Sequence, residues 1–210
     1  MEFKELQELD LSHDKIGNIE ILEKVNFKKL NKLHLNFVKI SSINILEKVD
    51  FKELKELNIR GINIDNLNVL EKFNFKKLNK LALCANKLIN LNGLEKADFK
   101  ELKELDLSDN KISNINALEN TKFQKLEKLN LNKNKISDIS ILEKVNFMNL
   151  KELNLKSNEI SDISVLEKVK LEKLEKLEKL ELFNLEGNKI SDKSILEKSE
   201  FKKFSKIICI

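Results

Sequence analysis

The side chains best suited to catalysis or metal binding are scarce in this sequence: two histidines, His13 and His34, and two cysteines, Cys84 and Cys209. A zinc site needs three or four ligands at defined distances, and a cysteine nucleophile needs a base within hydrogen-bonding reach. We expect Asp10 and His34 to share a face on adjacent strands and to hydrogen-bond there. Cys84 falls two strands beyond His34, roughly 10 Å away. Together with the lack of a glycine-rich phosphate loop, these spacings favour a protein that is not an enzyme and uses no metal or cofactor.

The elements that would position these residues come from a repeat of 24 residues. A phenylalanine opens each regular copy, and the seven are Phe3, Phe27, Phe51, Phe75, Phe99, Phe123 and Phe147. Each copy continues as LxxLxLxxNxI and then xxIxxL, as in residues 99–122. An eighth copy follows a six-residue insertion within 171–180, and a partial terminal copy occupies 201–210. Because one short copy cannot bury its leucines alone, neighbouring copies must stack.

This pattern resembles the leucine-rich repeat (LRR) family, and its second half resembles the SDS22-like and internalin-like subclass. The period is slightly longer than is usual for that subclass, and Val38 and Ile62 occupy the Asn position. The resemblance implies an α/β fold: a curved, horseshoe-shaped solenoid with a parallel concave β-sheet and short helices or 3₁₀ turns on its convex side. We expect a single LRR domain over 1–210, with about eight full repeats from Phe3 to about Ser199.

Three features of the repeat are predicted to hold the solenoid together. The phenylalanines should stack as an inner column, and the Asn that ends each strand should satisfy backbone groups at a bend and form a ladder. Ser-Asp pairs such as Ser137-Asp138 are typical N-caps for the convex turns. Cys209 replaces a leucine and is predicted to be buried, whereas Cys84 is predicted to be an exposed free thiol.

Charges along the chain are numerous but balanced, with 39 Lys and Arg against 35 Asp and Glu. One strand position alternates strictly in sign: Glu8, Lys32, Glu56, Lys80, Glu104, Lys128 and Glu152. A second position alternates in the same way from Glu5 and Lys29 onward. We interpret both as ladders of cross-strand pairs that maintain the stacking register, each pair contributing roughly 0.2–1 kcal/mol. Alternation cancels the field beyond about 8 Å, and no basic patch accompanies it, so nucleic acid is not expected to bind.

Copies two to four differ most from the others at positions that should face the concave side. Phe37 occupies a position that is otherwise small or polar, and an apolar anchor near an arginine is the composition of an interface hot spot. The candidate partner-binding residues are His34, Phe37, Asn58, Arg60, Ala82, Cys84, Asp106 and Asn130. The alternative interpretation is local repacking, in which Phe37 folds over Val38 and Ile62.

The resemblance implies a protein–protein interaction module that binds a protein partner through the concave sheet and its margin, in a non-enzymatic scaffold or regulatory role. Two alternatives stay open: a secreted or surface host-interacting factor of the internalin type, and a self-assembling structural repeat array. No signal peptide or transmembrane segment is visible, which favours the cytoplasm and disfavours membrane binding, with delivery to a host left open.

Two segments outside the regular array bear on partners as well. The first and last copies carry no visible polar cap, so we expect either self-association through the solenoid ends or a longer chain. The charged insertion at 171–180 is predicted to lengthen a convex helix, either as a tolerated replication-slippage insertion or as a docking helix.

Overall fold

A computed structural model describes residues 3–15, 17–40, 42–168, 180–197 and 208–209 of the chain. Within them, each strand pairs in parallel with the strand of the next repeat, and the nine strands lie in chain order in one sheet. The strands are β1 (Glu8–Asp10), β2 (Lys32–His34), β3 (Glu56–Asn58), β4 (Lys80–Ala82), β5 (Glu104–Asp106), β6 (Lys128–Asn130), β7 (Glu152–Asn154), β8 (Leu182–Asn184) and β9 (Ile208–Cys209). The register joins equivalent residues, so that Leu33 lies beside Leu57 and Leu57 beside Leu81. The predicted LRR solenoid is confirmed.

Each strand is followed by a loop and a short return segment on the convex side. The helical parts are about one turn long: α1 (Ile21–Lys24), α2 (Val165–Lys168), α3 (Ser194–Glu197) and the 3₁₀ helices Asn44–Glu47, Asn68–Lys72, Asn116–Asn120 and Ser140–Glu143. The Asp138 carboxylate accepts the Ser140 N–H at 2.7 Å, which lowers the pKa of Asp138. The N-cap of this 3₁₀ helix is Ile139, which makes no side-chain cap hydrogen bond, so the predicted N-cap role of the Ser-Asp pair is wrong here. Asp138 lies one residue earlier and instead closes an Asx turn onto Ser140.

The core is built from columns of equivalent apolar side chains. Within the phenylalanine column, Phe27, Phe51, Phe75, Phe99, Phe123 and Phe147 are all buried. Phe3 is 43% exposed, so the prediction of an inner column is wrong for this member. The physical reason is that Phe3 has a described repeat on one side only, where its ring stacks on Phe27 at a centroid distance of 6.0 Å.

The asparagines that end the strands form the predicted ladder from the fourth repeat onward. Asn134 of the sixth repeat is an example. Its side-chain oxygen accepts the N–H of Ile112 in the fifth repeat at 3.0 Å, and its amide donates to the carbonyls of Leu107 and Leu131, both at 3.0 Å. The members that make this set of bonds to the preceding and their own repeat are Asn86, Asn110, Asn134, Asn158 and Asn188. Each side chain thus ties two coils together through buried backbone groups.

The ladder begins at Asn86, because Val38 and Ile62 hold the equivalent positions in repeats two and three and are buried apolar residues. At this junction the Asn86 oxygen accepts two N–H groups, those of Ile62 and Ile64, each at 3.1 Å. Between them, Asn63 adopts a left-handed backbone with φ of 65°. The turn of repeat three therefore differs in shape from the turns of the later repeats.

Three expectations lie outside the described residues. These are the conformation of the insertion up to residue 179, the packing of Phe201, Phe204 and Ile207 in the partial repeat, and the burial of the Cys209 side chain.

Candidate functional site

The concave sheet brings five of the candidate residues into one row. His34, Asn58, Ala82, Asp106 and Asn130 occupy the last position of consecutive strands and pair in register, one strand apart. A shallow depression of about 310 Å³ lies over this face. It extends from β4 to β8, and three of the candidate residues, Ala82, Asp106 and Asn130, are among its lining side chains.

The margin of the sheet is a second column, three residues beyond each strand, in which the backbone turns left-handed in every repeat. These residues have φ between 54° and 69° and are His13, Phe37, Gly61, Ala85, Asp109, Lys133, Ser157 and Gly187. Residues with a Cβ are uncommon in this conformation, and bulky ones are outliers. Phe37 is the one large apolar side chain in this column.

The Phe37 ring is held between the first and third repeats. On one side it stacks with His13, with ring centroids 5.0 Å apart and an interplanar angle of 23°. On the other side it lies against Gly61, where an added Cβ would come within 2.4 Å of two ring carbons. The guanidinium carbon of Arg60 lies 5.4 Å from the ring centroid, a cation–π distance. We call His13, Phe37, Arg60 and Gly61 the margin cluster.

Phe37 remains 42% exposed, whereas Val38 and Ile62 are buried. The ring therefore lies on the surface beside Arg60 rather than repacked into the core. His13 and Gly61 are absent from the sequence-based candidate set. The signal that could have identified them is their position in the same column as Phe37, one repeat before and one repeat after it.

Arg60 differs from the lysines of the concave sheet in its ionic partners. Lys32 lies 3.4 Å from Glu8, Lys80 lies 3.6 Å from Glu104, and other lysines are paired likewise. Across the described ranges, by contrast, Arg60 forms no ion pair. Its backbone is fixed, because Asn36 Oδ1 accepts the Arg60 N–H at 3.1 Å and the Arg60 carbonyl accepts the Phe37 N–H at 2.8 Å.

The alternating charges form cross-strand pairs, as predicted. At the second alternating position the pairs are discrete, with Lys29–Glu5 and Lys125–Glu101 each at 2.7 Å. In the strand column, Lys80 lies within 4 Å of both Glu56 and Glu104. The second position thus pairs within 48-residue units, whereas the strand column also has contacts between units, Lys80–Glu104 and Lys128–Glu152.

His34 does not make the hydrogen bond to Asp10 that the sequence predicts. Nδ1 of His34 lies 3.9 Å from the Asp10 carboxylate, while Nε2 lies 3.4 Å from Glu56 and has no hydrogen-bond partner. The Asp10 carboxylate instead accepts the Ser12 N–H at 2.9 Å. A hydrogen bond with the Ser12 side chain, together with this backbone bond, lowers the pKa of Asp10. The prediction was wrong because a strand end offers a nearer donor than the neighbouring strand does.

Cys84 is buried, with 7% of its surface exposed, so the prediction of an exposed thiol is wrong. Burial raises the pKa of this thiol to about 11, and the neighbouring Asp106 carboxylate contributes in the same direction. Asp106 and Arg60 are its charged neighbours. A protonated, covered thiol is a poor nucleophile.

The part of the chain that the structure describes holds no group of three His, Cys, Asp or Glu side chains that could bind a metal ion. None of the helices in these ranges is both long and apolar enough to span a membrane.

Comparisons with known proteins agree with this architecture. A sequence profile described as leucine-rich repeats (two copies) matches residues 100–144 and 124–168. No curated protein sequence matches the chain. Among solved structures, internalin C2 from Listeria monocytogenes is similar, with a TM-score of 0.60, 24% identity, and coverage of 84% of this chain and 79% of that one. A leucine-rich-repeat protein of Leptospira interrogans has a TM-score of 0.58 and 22% identity, with coverage of 99% of this chain and 61% of that one.

The repeat pattern, the in-register parallel sheet, the asparagine ladder and the matched profile all lead to one conclusion. The chain has the leucine-rich-repeat fold that internalin C2 also has, and its residues 100–168 match the leucine-rich-repeat profile.

Proposed function

We propose that this protein is a non-enzymatic protein-binding module that recognises its partner through the concave sheet and the margin cluster, in a scaffold or regulatory role. LRR folds generally mediate protein–protein interaction. The observation that carries the proposal is Phe37, an aromatic side chain that is 42% exposed although its backbone is left-handed.

The conformation of Phe37 carries an energetic cost. A left-handed backbone costs an ordinary residue about 1–2 kcal/mol, because its Cβ approaches the following carbonyl oxygen, and in this column Gly61 and Gly187 avoid the cost. Half-exposed, Phe37 recovers only part of the free energy that full burial of the ring would supply. Local strain that is not repaid by core packing concentrates at functional sites.

The composition of the surrounding surface suits protein recognition. Hot spots combine aromatic side chains and arginine, and the margin cluster places Phe37 and Arg60 in direct contact. Beside it runs the row from His34 to Asn130, which offers hydrogen-bonding groups. The part of this row from Ala82 to Asn130 lines the depression over the sheet. An anchor at the edge of a broad polar face fits the anatomy of a protein interface.

The test compares two variants at the same position of the repeat. Phe37→Asn removes the ring and keeps a residue that tolerates a left-handed backbone, while Lys133→Asn makes the same change in the sixth repeat. Proteins captured from a lysate of the source organism are identified, purified and measured for direct binding. We expect Phe37→Asn to weaken binding at least tenfold and Lys133→Asn to leave it unchanged, with both variants folded by circular dichroism. A purified partner that binds both variants equally well would contradict the proposal.

The two alternatives raised by the sequence make different predictions in solution. For a self-assembling array, the sedimentation coefficient measured by sedimentation velocity should increase with protein concentration. This increase should not depend on Phe37. A host-interacting factor of the internalin type should bind a protein from a host rather than from the source organism. The similarity to internalin C2 bears on the fold alone, so the partner must be identified by binding.

A further inference from the structure

We infer that the margin cluster recognises a peptide segment in which a carboxylate, from Asp or Glu, lies beside an apolar side chain. The carboxylate would accept hydrogen bonds from the Arg60 guanidinium, and the apolar side chain would pack on the exposed part of the Phe37 ring. This inference rests on the proposed function and adds the chemistry of the partner.

The first observation is that Arg60 forms no ion pair in the described ranges, whereas Lys32, Lys80 and Lys128 of the strand column each lie beside a glutamate. Lysines of the sheet face glutamates of an adjacent repeat, as in Lys128–Glu152 at 2.7 Å. The closest match to Arg60 is Lys156, at the same position of the seventh repeat, which pairs with Glu186 at 2.5 Å. Nowhere in the described ranges does Arg60 have such a pair, so its charge is available to a partner.

The second observation is that the guanidinium is already held in place. It stacks over the Phe37 ring, and that ring is itself fixed between His13 and Gly61. Stacking leaves the N–H groups along the guanidinium edge free, and no acceptor for them lies among the described side chains. A fixed, planar set of donors matches the two oxygens of a carboxylate and reduces the entropy lost on binding.

The third observation concerns which anion fits. A nucleic acid or another polyanion would need several unpaired cations in a row, and it would also meet the acidic side chains of the sheet. On strands β1, β3 and β5 these are Asp10, Glu56 and Asp106, while Lys80 already lies beside Glu56 and Glu104. A single carboxylate beside an apolar group matches one free guanidinium beside one exposed ring.

The probe for the test is a library of random linear peptides displayed on phage, selected on the folded chain. Enriched peptides should carry Asp or Glu within two residues of an aromatic or aliphatic side chain. The strongest peptide is then synthesised in its acidic form and with Asn or Gln in place of the acid. Both forms are measured by fluorescence anisotropy on wild type, Arg60→Gln and the matched control Lys156→Gln.

We expect Arg60→Gln to weaken binding of the acidic peptide at least tenfold and Lys156→Gln to leave it unchanged. The amide peptide should bind wild type as weakly as the acidic peptide binds Arg60→Gln, with no further loss when both changes are combined. Arg60→Lys should restore part of the affinity, since it keeps the charge and loses the planar pair of donors.

The inference is overturned if no peptide is enriched, if the enriched peptides lack an acidic residue, if phosphorylated peptides or RNA are preferred, or if Arg60→Gln binds as tightly as wild type. Failure of this inference is distinguishable from failure of the proposed function. If Phe37→Asn weakens binding of the natural partner and Arg60→Gln does not, the proposed binding surface stands and the inference of a carboxylate bound by Arg60 fails. If neither change affects that binding, both fail.

Discussion

Repeats one to three and repeats four to eight share the same strands and the same apolar core but differ at the turn that follows each strand. From Asn86 onward an asparagine ties each turn to the preceding coil through two hydrogen bonds, or three in the case of Asn86. In the earlier repeats Asp14, Val38 and Ile62 take that position, and there the margin carries the cluster around Phe37.

The difference shows that the same repeat can either hold neighbouring coils together through the asparagine ladder or carry the margin cluster. Where the ladder is continuous, the margin residues are small or polar and the turns repeat closely. Where it is interrupted, the buried apolar side chains of Val38 and Ile62 take the place of the hydrogen-bonded asparagines. In this part of the chain the backbone of Asn63 is left-handed. The proposed binding site lies where the framework departs from its own pattern.

The largest effect should come from removing one ladder asparagine. Asn134→Ala leaves the Ile112 N–H and the Leu107 and Leu131 carbonyls without this partner in a buried turn, so we expect the free energy of unfolding to fall by about 3 kcal/mol. In the region without a ladder, Val38→Ala leaves no polar group unpaired and should cost about 2 kcal/mol. Urea denaturation followed by circular dichroism measures both. A smaller loss for Asn134→Ala than for Val38→Ala would show that the ladder is dispensable.

At the boundary between the regions, the Cys84 thiol should react slowly. A pKa of about 11 in place of about 9 leaves roughly a hundredfold less thiolate near pH 8, so alkylation by iodoacetamide should be slower by at least that factor than in the unfolded chain. A Cys209→Ser variant isolates the reaction at Cys84. Because the pKa is raised in the folded state, this group's contribution to stability is present below pH 9 and is lost as the pH rises toward 11. Rapid labelling at pH 8 in the folded chain would contradict the burial.

In the region without a ladder, Gly61→Ala tests the packing of the margin cluster. The new Cβ would come within 2.4 Å of the Phe37 ring at a φ of 65°, so we expect a loss of about 2–3 kcal/mol from backbone strain and overpacking together. The matched control is Gly187→Ala, with φ of 69° and only Ser157 Oγ nearby at 3.2 Å, which should cost about 1 kcal/mol. Combining Gly61→Ala with Phe37→Ala should reduce the difference between the two glycines. Equal costs at both glycines would mean that the ring moves aside freely.

The smallest effect should come from the charge pairs, which are common to both regions. Lys29→Ala and Lys125→Ala each remove one exposed pair at 2.7 Å, and each should shift the midpoint of thermal unfolding by less than about 1 °C. Differential scanning calorimetry at low and high salt measures the shift. A much larger shift for one of the two lysines would show that the charge ladder, like the asparagine ladder, distinguishes the regions.

Much of the architecture follows from the repeat pattern alone. Copies of one motif at constant spacing must place Leu33, Leu57 and Leu81 in equivalent environments, and the structure shows them paired and buried. The charge pairs and the asparagine ties follow in the same way, because a contact one repeat away is a contact at fixed separation in sequence. The candidate site was recognisable only in part: Phe37 and Arg60 stand out as unusual residues in their columns, while His13 and Gly61 do not.

The sequence by itself determined the coil, its core and its register, since these depend on which residue types recur every 24 positions. Only the tertiary structure decided that Cys84 is covered, that His34 lies nearer to Glu56 than to Asp10, and that Phe37 stays exposed beneath Arg60. The physical reason is that these outcomes depend on side-chain directions at a left-handed turn and on how three successive coils meet there. Such geometry arises from stacking, and no single copy of the repeat contains it.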